Sequence, residues 1–244
     1  MKLVSLNVWC GALNKKLIRF IKKESQSTDI FVFQEVTDWP KPQIFRPSKL
    51  LSAKRLYSTL KKTLPGFVPH KSVDYVPGFF LATFVRKSID ANKEKEARLV
   101  GPVETFGNKV ISRLFCVEIS VSGRNFWACN THGVLIEGKW RKDTAERILQ
   151  SKLILNTLKH LTGPKILCGD FNLEMKTKSL KLLERKLISL TKKYKVKNTR
   201  TRFFPLRRKE VIDQVFVSPE LKVKNFKVLR NVVSDHLPLS LEFS

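Results

Sequence analysis

The chain predicts an α+β fold. Short apolar runs of strand character alternate with amphipathic stretches of helical period, and two neighbouring runs are joined tightly enough to form a hairpin. Hairpins mixed among helices argue against a simple parallel sheet. No internal repeat or low-complexity segment organises the chain otherwise. Its 244 residues, 42% hydrophobic, can bury one sizeable core, and no linker-like stretch divides them, so residues 1–244 read as a single domain.

Taken in order, alternation from Lys2 to Cys10 predicts a half-buried strand. A helix over Asn14 to Ser25 presents Leu17, Ile18, Phe20 and Ile21 on its apolar face, and a strand runs from Asp29 to Glu35. Thr37 to Ser48 carries Trp39, Pro40, Pro42 and Pro47 and reads as a loop, because prolines at that density stop regular structure. A helix around Lys49 to Thr63 precedes strands over Phe79 to Arg86, Lys109 to Val121 and Asn125 to His132, the last two joined across Ser122-Gly123-Arg124. Asp143 to Leu161 is a long amphipathic helix stopped by Gly163-Pro164. Strands follow at Lys165 to Gly169, Val211 to Val217, Val223 to Leu229 and Leu237 to Phe243, with a helix over Thr177 to Thr191 between the first two.

Charge is the strongest bulk signal: 47 Lys and Arg against 21 Asp and Glu give +26. Such a surface predicts a polyanionic partner, nucleic acid first, with lysine-rich composition on a solvated surface as the plain alternative. Between Leu173 and Lys209 stand 14 basic residues and two acidic ones. On the helix there, Lys178, Lys181, Arg185 and Lys192 fall opposite Leu180, Leu183, Leu187 and Leu190, an ordinary core-facing pattern with a solvated basic stripe. Lys195 to Lys209 is less regular, contains Phe203 and Phe204, and offers Arg200 and Arg202 as contacts to a phosphate backbone. A surface this basic also favours a monomer. Cys10, Cys116, Cys129 and Cys168 sit in or beside apolar strands without a Cys-x-x-Cys pair, as buried reduced thiols do. No apolar run approaches a membrane span, and the first strand leaves no room for a signal peptide. An intracellular, cytoplasmic protein is expected, with nucleoid or nucleus as further locations.

Five polar clusters stand at strand ends: Asn7 in Leu3 to Trp9, Glu35 closing Ile30 to Glu35, His132 closing Phe126 to His132, Gly169-Asp170-Phe171-Asn172, and Ser234-Asp235-His236 before the last strand. Each has a plain reading by itself. Asp170 or Asn172 could cap a helix, His132 could be a satisfied structural histidine, Asn7 could bond a neighbouring backbone, and Glu35 could be a solvated strand end. Together, in this order, they resemble the endonuclease/exonuclease/phosphatase superfamily, over residues 3 to 243. Ile212-Asp213-Gln214-Val215-Phe216-Val217-Ser218 resembles its Asp-bearing strand, and Arg147-x-x-Gln150 adds to the likeness.

That resemblance implies a four-layer αββα sandwich of two packed, mostly antiparallel sheets flanked by helices. It implies hydrolysis of phosphodiester bonds by direct attack of water, assisted by Mg²⁺ or Mn²⁺, which carboxylate and amide oxygens suit. Glu35 is then the principal metal ligand, with Asn7 and Asp235 contributing. His236 sits beside the scissile phosphate, held in one tautomer by Asp213. Asp170 orients the water, Asn172 donates to a phosphate oxygen, and His132 binds a non-bridging oxygen or assists the leaving group. His236 and Asp170 both stay open as the base. Thr131-His132 resembles the deoxyribonuclease I, sphingomyelinase and tyrosyl-DNA phosphodiesterase branches, and the 40 residues between Asn172 and Asp213 show no counterpart of the AP endonuclease insertion.

The substrate implied is nucleic acid, DNA ahead of RNA. The loop from Gly133 to Asp143 carries Lys139, Trp140 and Arg141, an aromatic between cations that could stack on a base or equally cover the next helix. Trp39 has the same two readings. His160, near a helix C-terminus, reads as structural, and His70 has no motif around it. The alternatives are a phospholipid phosphodiesterase resembling sphingomyelinases, docked on an anionic membrane surface, tyrosyl-DNA end processing, and a nucleic-acid-binding protein that has lost turnover.

Overall fold

The computed structural model describes residues 1–41, 44–45, 50–105, 107–204, 206 and 208–244. In chain order the elements are β1 (Lys2–Asn7), α1 (Asn14–Glu24), β2 (Ile30–Thr37), β3 (Ile44–Phe45), β4 (Leu50–Leu51), α2 (Leu56–Thr63), β5 (Phe67–Lys71), β6 (Phe79–Arg86) and β7 (Asp90–Thr105). Then come β8 (Asn108–Val121), β9 (Arg124–His132), α3 (Ala145–Lys159), β10 (Lys165–Asp170), α4 (Lys178–Glu184), β11 (Ile188–Ser189), α5 (Leu190–Lys193), β12 (Asp213–Val217), β13 (Val223–Val228) and β14 (Leu239–Phe243).

They form two six-stranded sheets, ordered β13-β14-β1-β2-β6-β5 and β11-β12-β10-β9-β8-β7, plus the small β3-β4 pair. Each large sheet is antiparallel except for one central parallel pair, β1 with β2 and β9 with β10. Period-2 alternation then builds the layers. Leu3, Ile30, Val32 and Leu81 of the first sheet meet Phe115, Val117, Ala128, Ile166 and Val215 of the second in one core. The intervening residues Val4, Leu6, Phe31 and Phe33 face outward onto Leu17, Phe20 and Ile21 of α1 and Leu56 and Leu60 of α2. On the far side Cys116, Trp127, Cys129, Leu167 and Phe216 pack under Ile154 and Leu158 of α3 and Leu180 and Leu183 of α4. The α+β sandwich of two packed, mostly antiparallel sheets flanked by helices is therefore the fold, and all four cysteines are buried free thiols.

Several boundaries differ from the sequence reading. β1 ends at Asn7 and is buried on both faces, because helices cover one side and the second sheet the other; Trp9–Gly11 form a 3-10 turn. Within the expected proline loop, Pro42, Pro47 and Ser48 lie outside the described residues, as does Lys49, and Ile44–Phe45 pairs with Leu50–Leu51. The second helix starts only at Leu56. The helix expected over Thr177 to Thr191 is three pieces, since Ile188 and Ser189 pair with Val217 and Phe216 and so leave the helix for the sheet. Beyond β3, β4 and β11, two longer strands, β5 and β7, also differ from the sequence reading. Both are sheet edges, both contain a proline, and β7 exposes a Lys- and Glu-rich face, so neither shows an apolar run. The β8–β9 hairpin turns on Ser122 (φ 50°) and Gly123 (φ 74°), the left-handed pair a two-residue turn requires. Among the described residues, no helix is long and apolar enough to cross a membrane.

Candidate active site

The two central parallel pairs end at the same rim, and their last residues build the site. In the second sheet the register puts His132, Asp170 and Asp213 side by side across β9, β10 and β12. In the first sheet β2 bulges between Phe33 and Val36 against β6, with Glu35 in the left-handed region at φ 54°. The bulge turns Glu35 toward Asn7 at the end of β1. Its neighbour Gln34 points between the sheets instead, where its Nε2 donates to Asn130 Oδ1 at 2.8 Å while Asn130 Nδ2 donates to Phe33 O at 2.9 Å. This amide pair fixes one sheet to the other next to the site.

Gly169 is needed for Asp170 to reach the rim. Its φ is +150°, and a Cβ there would lie 1.8 Å from Thr131 O on the adjacent strand. Gly169→Ala is expected to destabilise the protein by on the order of 3 kcal/mol, read from the denaturant midpoint; an unchanged midpoint would contradict this account of the glycine.

The side chains meet through short contacts. Asn7 Nδ2 donates to Glu35 Oε1 at 2.9 Å and to Asp170 Oδ2 at 3.3 Å, while its Oδ1 accepts from Trp9 N. His236 Nδ1 faces both oxygens of Asp213, at 2.9 and 3.0 Å, and its Nε2 lies 3.5 Å from Asp170 Oδ2 and 3.7 Å from Asp235 Oδ1. Opposite stands His132, with Nε2 3.5 Å from Glu35 Oε1 and 3.7 Å from Asp170 Oδ2. Asn172, at φ 53°, accepts from Arg141 through Oδ1 and donates to Gly133 O at 3.1 Å, and its backbone N–H donates to Asp170 Oδ1 at 2.8 Å. A cleft of about 450 Å³ opens over these groups, walled by Trp9, Tyr75, Phe79, Trp140 and Phe204.

Electrostatics separate the carboxylates. Burial alone would raise the Asp170 carboxyl, but His236, His132 and Arg200 outweigh it and hold it well below the usual range. Glu35 is raised, first by desolvation, with Asp235 adding to it and His132 opposing. Desolvation and Arg200 push His236 down, yet Asp213, Asp235 and Asp170 lift its pKa to about 9. His132 is raised as well, its burial outweighed by Asp170 and Glu35.

These shifts set a pH window for the metal-free protein. The Asp170 contribution is present above the unfolded carboxyl value of about 4 and lost as pH falls. The His236 contribution is complete below the unfolded value of about 6.5 and lost as pH rises toward its folded pKa of about 9. Unfolding temperature in chelator is expected to decline between these two values, and His236→Gln to flatten that decline. A slope unchanged in the variant would remove His236 as its source.

The donor set fits a hard dication. Asn7 Nδ2 joins Glu35 to Asp170, and His236 Nε2 lies against both Asp170 and Asp235, so carboxylate oxygens of the kind a hard dication takes line the site. Asp170, Asp213 and His236 also offer atoms within 4.8 Å of one another. Both Asp213 oxygens are engaged with His236 Nδ1, however, so this second group is better described as a hydrogen-bonded chain.

The expected substrate contacts divide. Trp140 lines the cleft and is 43% exposed. Lys139 is exposed and Arg202 rims a neighbouring hollow with Arg208, Lys209 and Phe203. Arg141 and Arg200 are buried, contrary to an open phosphate-tracking surface: the first contacts Asn172, the second Asp235 and His236. Trp39 packs edge-on against Phe79, His70 is buried on Glu94, and His160 caps α3. Arg147 and Gln150 of α3 are buried beneath the loop after β9, donating to the carbonyls of Val134, Lys139 and Lys142 and accepting from Val134 N. Two residues escaped the sequence reading. Tyr75 packs at a tilt beside His132, ring centroids 5.3 Å apart, and Glu210 joins Arg141 to Arg200; neither lies in a recognisable motif.

Residues 4–236 match the sequence model of the Endonuclease/Exonuclease/phosphatase family. No curated protein matches the chain significantly. Solved structures with the same fold include a mannosyl-6-phosphatase of Bacteroides thetaiotaomicron, 20% identical, with all of this chain and 99% of that one covered at a TM-score of 0.75. The human Nocturnin catalytic domain with bound sulfate is 20% identical over all of this chain and 93% of its own, TM-score 0.73. TDP2 of D. rerio complexed with a single-strand DNA product is 14% identical, covering all of this chain and 98% of its own, TM-score 0.76.

Proposed function

Because the chain belongs to the endonuclease/exonuclease/phosphatase family, we propose that it is a divalent-metal-dependent hydrolase that cleaves phosphodiester bonds in nucleic acid, DNA before RNA, by direct attack of water. The observation that carries this reading is the Asp213–His236–Asp170 chain at the base of a cleft shared with Glu35 and Asn172.

Asp213 accepts from Nδ1, and Nε2 faces Asp170, Asp235 and Arg200; with a pKa of about 9 the ring is protonated at neutral pH in the metal-free protein. His236 takes the water proton from its neutral form only, and Asp170 is the other acceptor, two groups that share one hydrogen-bonded system. His132, whose pKa Asp170 and Glu35 raise against its burial, and Asn172, 3.5 Å away, are donors for phosphate oxygens or the leaving group. Glu35, Asn7 and Asp235 would hold the cation, Mg²⁺ or Mn²⁺. When bound it offsets phosphate charge and polarises water. The +26 charge and the exposed Arg202, Arg208 and Lys209 beside the cleft support a polyanionic substrate.

The test is cleavage of end-labelled single- and double-stranded DNA and of RNA with and without Mg²⁺ or Mn²⁺, beside a sugar phosphate and sphingomyelin vesicles. Metal-dependent cutting of a nucleic acid is the expected result, and the product ladder separates internal from terminal attack. Turnover only of the sugar phosphate or the lipid would overturn the nucleic-acid reading while leaving a metal hydrolase. Tight DNA binding without turnover in any metal would point to a binding protein.

A further inference from the structure

Two buried arginines border the cleft that the water-activating chain does not require. Arg141 is 3% exposed and Arg200 7%, and both line the cleft. Between them stands the Glu210 carboxylate. Its Oε2 accepts from Arg141 Nε at 3.2 Å and lies 3.8 Å from Arg200 Nε, while its Oε1 accepts from Arg208. From this shared anchor each arginine reaches a different site residue. Arg141 Nη1 donates to Asn172 Oδ1, and Arg200 Nη1 donates to Asp235 Oδ2 at 2.9 Å and contacts His236 Nε2.

Arg141, Arg200 and Arg208 face only two carboxylates in this cluster, Glu210 and Asp235. Among the described residues neither Arg141 nor Arg200 uses its Nη2 in a hydrogen bond. Buried guanidinium groups with excess positive charge and spare donors are suited to a further anion. A phosphate group matches the planar fork, which lysine cannot reproduce.

Resting on the phosphoester reading above, we propose that Arg141 and Arg200, spaced by Glu210, form a two-arginine clamp on the non-bridging oxygens of the reacting phosphate group. Glu210 touches no phosphate; it is the positioning residue that sets the two forks toward the cleft. The clamp lies beside Asn172 on one side and His236 on the other, the residues that the proposed reaction puts next to the same phosphate.

Metal-free protein titrated calorimetrically with inorganic phosphate tests this without turnover. Wild type is expected to bind saturably, and Arg141→Lys, Arg200→Lys and Glu210→Gln each to weaken binding about tenfold, with unfolding midpoints recorded for every variant. A purely structural Glu210 would leave the phosphate affinity of the folded variant unchanged. Should Glu210→Gln not fold, the two lysine variants carry the test. No phosphate binding by wild type, or wild-type affinity in both lysine variants, overturns the clamp. Phosphate binding lost in the variants together with no nucleic-acid cleavage by wild type overturns the substrate reading and leaves the clamp standing.

Discussion

His236→Ala is expected to lower kcat for phosphodiester hydrolysis by about 10²- to 10⁴-fold, the range that positioned proton transfer contributes. The side chain is 2% exposed, its Nδ1 is held by both Asp213 oxygens, and its Nε2 faces Asp170, so no other imidazole can stand in for it. His132 is on the other side of Asp170 and bonds a different set of groups. Asp213→Asn provides the sharper comparison, because it keeps the shape but lets Nδ1 lose its proton-holding partner. A loss approaching that of His236→Ala would show that the tautomer, and not bulk, is what Asp213 supplies. Steady-state rates against pH, with metal saturating, check both variants. Wild-type kcat in His236→Ala would remove the histidine from the reaction and transfer proton acceptance to Asp170.

Glu35→Gln is expected to have opposite effects on activity and on stability. Activity should fall by about two to three orders of magnitude, the several kcal/mol that metal assistance supplies. Calorimetric titration with Mn²⁺ should show the matching loss of affinity. The metal-free fold, however, should become more stable. Burial and Asp235 raise the Glu35 carboxyl, so its charged form is disfavoured in the folded state at neutral pH, and a neutral amide removes that cost. A higher unfolding midpoint in chelator, with the gain vanishing when excess metal is added to wild type, is the predicted pair of results. A lower midpoint in chelator would mean that the Asn7 to Glu35 hydrogen bond outweighs the desolvation.

Motif order made much of the candidate site legible, because polar side chains gathered at strand ends appear in sequence as breaks in apolar runs. Asn7, Glu35, His132, Asp170, Asn172, Asp213, Asp235 and His236 all reach one cleft or its immediate border. The bulge that turns Glu35 was invisible, since Gln34-Glu35 continues the strand pattern and only the pairing with β6 reveals the extra residue. Arg141 and Arg200 looked like surface cations because burial of a charge depends on a partner, and Glu210 is 69 residues from the first of them. The edge strands β5 and β7 were hidden by their own protection, charge and proline, which erase the apolar signature. The helix at Thr177 to Thr191 satisfied every local rule and was broken by a tertiary claim on Ile188 and Ser189.

The bulged first sheet supplies Asn7 and Glu35, and the second supplies His132, Asp170 and Asp213, with Asp235 and His236 arriving on the segment that leads back into the first. The candidate site is thus a joint between the two sheets. A fragment holding either sheet intact carries an incomplete set of reactive groups, so its inactivity would be compositional and would persist however well it folded. Mixing complementary fragments is a different matter. Any catalysis they regain should rise with the product of their concentrations, making hydrolysis itself a meter of how firmly the two halves embrace.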